Sequence, residues 1–236
     1  VWILYYLGFQ GEKFYGKEKE KMTISSKEEV EKIMKELEGV SYQVSEVKKG
    51  ERKMAQVLVL MSSSRKNGNT DRLANTFING VEENGYSTEK VYVNYQNIKP
   101  CLGCNVCQKT NQCVQKDDMQ DIYKKMLEAK VIVFASPVYF YTFNASMKLL
   151  IDRTFAIEKT IHDKDFYLLT TGLAPEESYF RIIKDTFQKY IDCLRVGGNR
   201  FVDYVLGFQT GNKDDIEKTD SIEKAYNMAK EIKINE

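Results

Sequence analysis

From Gln56 onward, short apolar runs alternate with longer segments whose apolar residues recur at helical spacing, and turn residues mark the changes of period. Gln56–Met61 reads as a buried-type strand. Asp71–Glu83 reads as a helix with Leu73, Phe77, Ile78 and Val81 on one face, stopped by Asn84-Gly85. Thr88–Tyr95 predicts a strand, Met119–Ala129 a helix, and Val131–Ala135 a third strand of buried type. A helix over Ala145–Ile157 and a strand over Phe166–Thr171 follow. Glu176–Leu194 is a long helix with Phe180, Ile183, Phe187, Ile191 and Leu194 facing inward. Phe201–Phe208 is the last strand, and Ser221–Ile234 the last helix, opened by Asp220 with Glu223. Five strands alternating with five helices predict an α/β fold, a doubly wound five-stranded parallel sheet covered on both faces.

Residues 1–53 break this rhythm. Val1–Leu7 is apolar and aromatic, Gly8-Phe9-Gln10-Gly11 reads as a turn, and Glu12–Lys21 is charged. Ser26 with Glu29 forms a capping box for a helix carrying Val30, Ile33, Met34 and Leu37, which Gly39 ends. Tyr42–Val47 alternates like a short strand, and Lys48–Lys53 is a polar linker. The pattern predicts a small N-terminal α/β appendage over 1–53, docking on the main domain or on a partner chain. Residues 54–236 are expected to form a self-sufficient domain.

Composition narrows the class. Lys and Arg total 35 against 34 for Asp and Glu, so no net field favours nucleic acid or an acidic membrane surface. No apolar run reaches the roughly 18–20 residues that cross a bilayer. With 12% aromatic residues and 3 prolines, disorder and collagen-like repeats are excluded. Val1–Leu7 lacks the basic segment and small-residue cleavage site of a secretory signal. A cytoplasmic protein is expected, and the odd total of 5 cysteines fits a reducing compartment.

Open parallel sheets bind ligands outside the carboxyl ends of their strands. After the first strand, Ser62-Ser-Ser-Arg-Lys-Asn-Gly-Asn-Thr70 carries hydroxyls, one glycine and Arg65 into a helix N-terminus. That position suits an anion, because unpaired N–H groups and the helix dipole converge there. The competing reading is a polar turn with Thr70 as the N-cap. After the third strand, Ser136-Pro-Val-Tyr-Phe-Tyr-Thr-Phe-Asn144 crowds Tyr139, Phe140, Tyr141 and Phe143 into a connecting loop. They would line a flat heteroaromatic ring, or else pack beneath the loop as core. Thr170–Pro175 adds hydroxyls and Gly172 at the next strand end.

Cys101, Cys104, Cys107 and Cys113, spaced C-x2-C-x2-C-x5-C, form a cysteine-rich loop over 100–114 after the second strand. Three cysteines at steps of three can wrap three corners of a cubane, and a fourth closes it. Zinc ligands usually come as two separated pairs, so a [4Fe–4S] cluster is favoured; zinc, free thiols or an adventitious disulfide remain alternatives. Cys193 reads as a small packing residue, His162 as a surface-loop residue, and Asp117 with Asp118 as the cap of the helix near Met119. Arg153 reads as a surface helix residue in an ordinary ion pair.

With these motifs in this order, residues 55–236 resemble the flavodoxin-like NAD(P)H-dependent FMN reductases, and within them the iron–sulfur flavoproteins. The resemblance rests on Ser62–Thr70, Pro100–Cys107, Cys113 through Asp117-Asp118-Met119, Ser136–Tyr139 and Leu150-Ile-Asp-Arg-Thr154. It implies a strand order of 2-1-3-4-5, which puts the cysteine loop at the flavin end. It implies that Ser62, Ser64, Arg65, Asn67, Asn69 and Thr70 hold the FMN phosphate. Pro137, Val138, Tyr139 and Phe140 would lie along the isoalloxazine edge, with Thr171 and Gly172 near its other side. The four clustered cysteines have the spacing that iron–sulfur flavoproteins use. For Arg153 the resemblance suggests a flavin-side or dimer role. One departure stands out: the family commonly reads Gly-Ser-Pro-Arg where this chain has Ser62-Ser-Ser-Arg65.

The implied function is an FMN-dependent oxidoreductase passing electrons between FMN and a [4Fe–4S] cluster, with NAD(P)H as a transient donor. The electron partner would be a small molecule or a protein, and the assembly a homodimer or homotetramer. Two alternatives are a cluster-free NAD(P)H-dependent FMN, quinone or azo reductase, and a zinc-containing binding protein without turnover.

Overall fold

The computed structural model describes residues 10–15, 18–23, 55–194 and 197–234. The helix and strand expected over Ser26–Val47, and the Lys48–Lys53 linker, lie outside the described residues. The chain divides into two compact units, Val1–Glu51 and Arg52–Glu236. In the first, β1 (Gln10–Tyr15) pairs antiparallel with β2 (Glu18–Thr23), Gln10 opposite Thr23 and Tyr15 opposite Glu18. The turn expected at Gly8–Gly11 is corrected in part. Gln10 and Gly11 belong to β1, where the ladder to β2 supplies partners for their backbone groups.

The second unit is built on β3 (Val57–Met61), β4 (Thr88–Tyr92), β5 (Val131–Tyr139), β7 (Asp165–Thr171) and β8 (Arg200–Gly207). Their order is β4-β3-β5-β7-β8, and every neighbouring pair is parallel. Counted within this unit, that is the 2-1-3-4-5 arrangement of a flavodoxin-like sheet. The helices are α1 (Asn69–Glu83), the single turn α2 (Cys107–Thr110), α3 (Met119–Glu128), α4 (Ala145–Arg153), α5 (Arg181–Asp192) and α6 (Ser221–Lys230).

Buried strands with alternating inward residues give two apolar layers, one on each face. Leu58, Leu60, Ile132, Phe134, Phe166 and Leu168 pack under α3, α4 and α5, with Phe187 of α5 in ring contact with Phe134, Phe143, Phe166 and Phe201. Val57, Val59, Met61, Val133 and Leu169 face α1 and α6 through Leu73, Phe77, Ala225 and Ala229. Among the described residues, no helix is long and apolar enough to cross a membrane.

Several element boundaries differ from the sequence expectation. The helix expected over Ala145–Ile157 ends at Arg153 and passes into a 3-10 turn over Thr154–Ala156. β5 continues four residues past Ala135, because Ser136 and Pro137 still pair with Thr170 and Thr171 and Val138 pairs back onto β6 (Thr142–Phe143), a short antiparallel strand that apolar periodicity does not reveal. The strand from Thr88 ends at Tyr92 in a 3-10 turn over Val93–Tyr95. Glu176–Leu194 divides into a 3-10 turn, Glu177–Phe180, and α5, which keeps Phe180 buried at the junction. α6 ends at Lys230; Glu231 still donates to Asn227 O, but Ile232, buried beyond it, donates to Ala229 O in a tighter turn.

Candidate functional site

Where β3 ends, the chain turns inward before it turns out. Ser62 is buried; its hydroxyl donates to Ala135 O (3.3 Å), and its own carbonyl accepts from Asn144 Nδ2 (2.7 Å). Ser63 is buried too; beyond it Ser64, Arg65, Lys66 and Asn67 are exposed, and Asn67 takes a left-handed φ of 58°. Gly68 then folds the loop onto itself. Its N–H donates to Arg65 O (3.0 Å), and a Cβ there would stand 2.9 Å from Arg65 Cβ. α1 opens with Gly68 at its N-cap, so Thr70 is not the cap. Thr70 is buried in the first turn, its hydroxyl 2.6 Å from that of Thr171 at the end of β7.

The six residues expected at the phosphate therefore divide. Ser64, Arg65 and Asn67 stand exposed around the N-terminus of α1. Ser62 and Thr70 tie the loop to β5 and β7. Asn69 reaches the loop after β8, donating to Thr210 O (3.2 Å) and Asn212 O (2.7 Å) and accepting from the N–H of Ile216 (3.2 Å). The site residues that the sequence reading missed are those that hold this loop from outside. Tyr95 donates its hydroxyl to Ser64 O (3.0 Å), and Lys66 Nζ lies 5.1 Å from the Tyr95 ring centre. Asn144 both caps α4, accepting from Met147 N–H, and braces Ser62. An asparagine directly before a helix is a legible cap signal; nothing in the sequence pattern marks Tyr95.

Asp71 is 1% exposed, a carboxylate in the first turn beside the anion position. Burial alone would push its pKa up. The Asn67 N–H (2.8 Å), the Lys90 ammonium (3.0 Å) and the Tyr92 hydroxyl (2.9 Å) outweigh that and hold it below the usual carboxylate value. Because the folded pKa is depressed, its stabilisation is complete above the unfolded value near 3.9 and is lost as pH falls through the folded pKa. We expect the stability difference between wild type and D71N, read by urea unfolding, to be full at pH 6 and to shrink below about pH 4. A difference that grows on acidification would refute this pairing.

The loop after β5 is a two-residue hairpin. Val138 pairs with Phe143 and Tyr139 with Thr142, leaving Phe140 (φ 50°) and Tyr141 (φ 68°) as the turn. Both are left-handed, the geometry of a type I′ turn that normally selects Asn or Gly. Of the four aromatic residues, Phe143 alone is core. Phe140 is 99% exposed, Tyr139 and Tyr141 are about half exposed, and Tyr141 stacks on Tyr179 at 6.4 Å. Beside them Gly172 lies so close that a Cβ would sit 3.3 Å from Val138 and 3.2 Å from Phe180. Val138 and Gly172 thus flank the mouth of the sheet. A bulky residue in this conformation costs about 1–2 kcal/mol. F140N is expected to raise the melting temperature by about 2–4 °C; a fall in calorimetry would show that the Phe140 ring makes contacts worth more than the strain.

The cysteine-rich loop leaves β4 at the same end of the sheet. It folds over the ends of α3 and α4: Gln120 of α3 donates to Cys113 O (3.4 Å), and Gln108 donates to Phe155 O (3.3 Å) past the end of α4. Gly103, Asn105 and Asn111 take left-handed φ values of 63°, 57° and 54°, which curl the chain around α2. Cys101, Cys104, Cys107 and Cys113 all line one small pocket, with Leu102 and Phe155. Burial pushes the Cys107 thiol up, and Cys113, Cys101 and Cys104 each push it further, so the four are within electrostatic reach of one another. Among the described residues, no three thiol, imidazole or carboxylate groups are gathered closely enough for a single metal ion.

Three further expectations are corrected here. Arg153 is not on a helix surface: it is 2% exposed and pairs with Asp117 at 2.7 Å. Asp118 is the N-cap of α3 by position only; its carboxylate accepts from Asn97 N–H (2.7 Å), while Asp117 accepts from Met119 N–H (3.3 Å) and from Arg153. Cys193 is exposed, because the turn after α5 carries it past the buried stripe of Ile191 and Leu194, and it lines a second cavity with Cys101. His162 is exposed and paired with Asp163.

A flavodoxin-like sheet with a hydroxyl-rich loop at its first strand end and a thiol-lined loop beyond its second defines a class, and the sequence comparison agrees. Residues 55–180 match the NADPH-dependent FMN reductase family, and the chain belongs to that family. It is similar to an iron-sulfur flavoprotein of Methanocaldococcus jannaschii, 39% identical over 98 residues, 42% of this chain and 51% of that one. An iron-sulfur flavoprotein of Archaeoglobus fulgidus is 35% identical over 94 residues, 40% of this chain and 43% of that one. The chain spans about half the length of the curated relatives it matches. In fold it resembles an NAD(P)H:quinone oxidoreductase from Methanothermobacter marburgensis, with a TM-score of 0.61 and 14% identity over 76% of this chain and 98% of that one.

Proposed function

We propose that this chain is an FMN-dependent oxidoreductase that exchanges electrons between FMN at the strand ends and a [4Fe–4S] cluster at Cys101, Cys104, Cys107 and Cys113, working as a homo-oligomer. The observation that carries it is the convergence of all four thiols on one cavity in a chain of the FMN reductase family. Bound FMN would supply the chemistry itself, taking a hydride as an electron pair and releasing electrons singly. Arg65, Ser64, Asn67 and the first-turn N–H groups of α1 would neutralise its phosphate, and the Lys90 ion pair keeps the Asp71 carboxylate from repelling it. The Pro137–Phe140 backbone would border one edge of the ring, with Thr171 and Gly172 at the other.

The donor set fits a cluster better than zinc. Four sulfurs at about 2.3 Å from one zinc would stand about 3.8 Å apart. Here three of the four thiols come at steps of three along one loop and all four face one pocket, the pattern of cluster corners rather than of two separated ligand pairs. A second reading, a cluster-free NAD(P)H-dependent FMN, quinone or azo reductase, is favoured by the exposed Tyr139, Phe140, Tyr141 and Leu173, a surface on which a flat acceptor could reach the flavin directly.

Protein purified without oxygen decides between them by its visible spectrum, with iron and acid-labile sulfide assayed on the same sample. Flavin bands with about four irons per chain are expected. Flavin without iron would leave the simple reductase, and no chromophore after addition of FMN would overturn both readings.

A further inference from the structure

We propose that Arg153 is a positioning residue for the four-thiol centre: through a charged hydrogen bond to Cys113 Sγ it raises the reduction potential of the cluster held there. The proposal rests on the cluster reading above. Arg153 closes α4, and its guanidinium lies between the two stems of the cysteine loop. Nη1 donates to Lys99 O (2.6 Å), two residues before Cys101, and to Asp117 Oδ2 (2.7 Å), four residues after Cys113. Nη2 donates to Asp117 Oδ1 (3.0 Å) and to Cys113 Sγ (3.5 Å). The carbonyl of Arg153 accepts from Tyr123 OH (2.7 Å), fixing the helix end from which the side chain departs.

A clamp on the loop stems would be complete with Asp117 and Lys99. The bond to Cys113 Sγ is additional, and it makes that sulfur unlike Cys101 Sγ, which takes only a backbone N–H, from Gly103 (3.5 Å). Reduction of a thiolate-bound cluster adds negative charge. A buried cation donating to one of its sulfurs stabilises the reduced form more than the oxidised one, and the potential rises. The Asp117 carboxylate opposes that effect. The two partners should therefore act with opposite signs, which a purely structural latch would not do. Lysine could keep the charge and the Asp117 contact, but a single ammonium cannot reproduce the planar fork that reaches Lys99, Asp117 and Cys113 together.

The test uses the full chain, prepared anaerobically with its cofactors, and an EPR-monitored redox titration alongside iron and sulfide counts. R153Q is expected to lower the midpoint potential by about 59 mV, a tenfold change in a one-electron equilibrium. D117N is expected to raise it, and R153K to fall between R153Q and wild type. Iron-loaded variants with the wild-type potential, or R153Q and D117N shifting in the same direction, would overturn the proposal while leaving the cluster reading intact. If R153Q does not load, R153K at the wild-type potential or a lowered D117N does the same. Iron lost from all three variants would make Arg153 a structural clamp only, and no iron in the wild-type chain removes this proposal together with the cluster.

Discussion

Replacing Asp117 with alanine is expected to lower the unfolding free energy by about 3–5 kcal/mol, the cost of stranding one member of a buried ion pair. Both side chains of the Arg153–Asp117 pair are 1% exposed, so water cannot take over the lost contacts. Asp117 also accepts from the N–H groups of Lys99 (3.0 Å) and Met119 (3.3 Å), so one substitution releases the first stem of the cysteine loop, the start of α3 and the end of α4. Its own burial would push the carboxyl pKa up; the Arg153 guanidinium and the Lys99 N–H overcome that and hold it low. The pair's contribution is therefore present above about pH 4 and lost as pH falls through the folded pKa. Urea unfolding at pH 7 measures the cost, and hydrogen exchange over residues 99–118 locates it. The exposed Lys148–Asp152 pair is the control, where D152A should change stability by less than about 1 kcal/mol. Equal effects at the two sites would contradict the burial argument.

That pair shows where the sequence stopped being legible. Apolar periodicity located all five parallel strands and their helices, because a strand buried on both faces and a helix with one apolar stripe leave strong, local patterns. It also pointed to three of the strand-end loops by their odd composition. Arginine at the end of α4 reads as a surface residue by every local criterion, and only the long-range return of Asp117 makes its burial tolerable. Phe140 and Tyr141 fail in the opposite sense. Left-handed turns favour Asn and Gly, so two aromatics gave no hairpin signal, and β6 went unseen. The loop after β3 stood out by composition, but the contacts its residues make did not. Ser62, Asn69 and Thr70 look like donors in the sequence, and their partners lie 73, 141 and 101 residues away.

Gly68→Ala is expected to weaken FMN binding by about 100-fold, or about 2.8 kcal/mol, with little change in global stability. The added Cβ would stand 2.9 Å from Arg65 Cβ and 3.0 Å from Arg65 O. The second of these is backbone, and it is already held by the Gly68 N–H, so the loop cannot yield without opening that turn. Opening it carries Arg65 and Ser64 away from the N-terminus of α1. The proposed cradle then loses a cation and a hydroxyl aimed at the phosphate, each charge-assisted contact being worth about 1.5–3 kcal/mol. Since Ser64, Arg65 and Asn67 are exposed, the core beneath them is not disturbed. Flavin fluorescence titration of the apoprotein measures the affinity, and R65A should reproduce a part of the loss. Riboflavin, which lacks the phosphate, should bind G68A and wild type equally. If G68A instead weakens riboflavin as much as FMN, the loop shapes the ring site and the phosphate is held elsewhere.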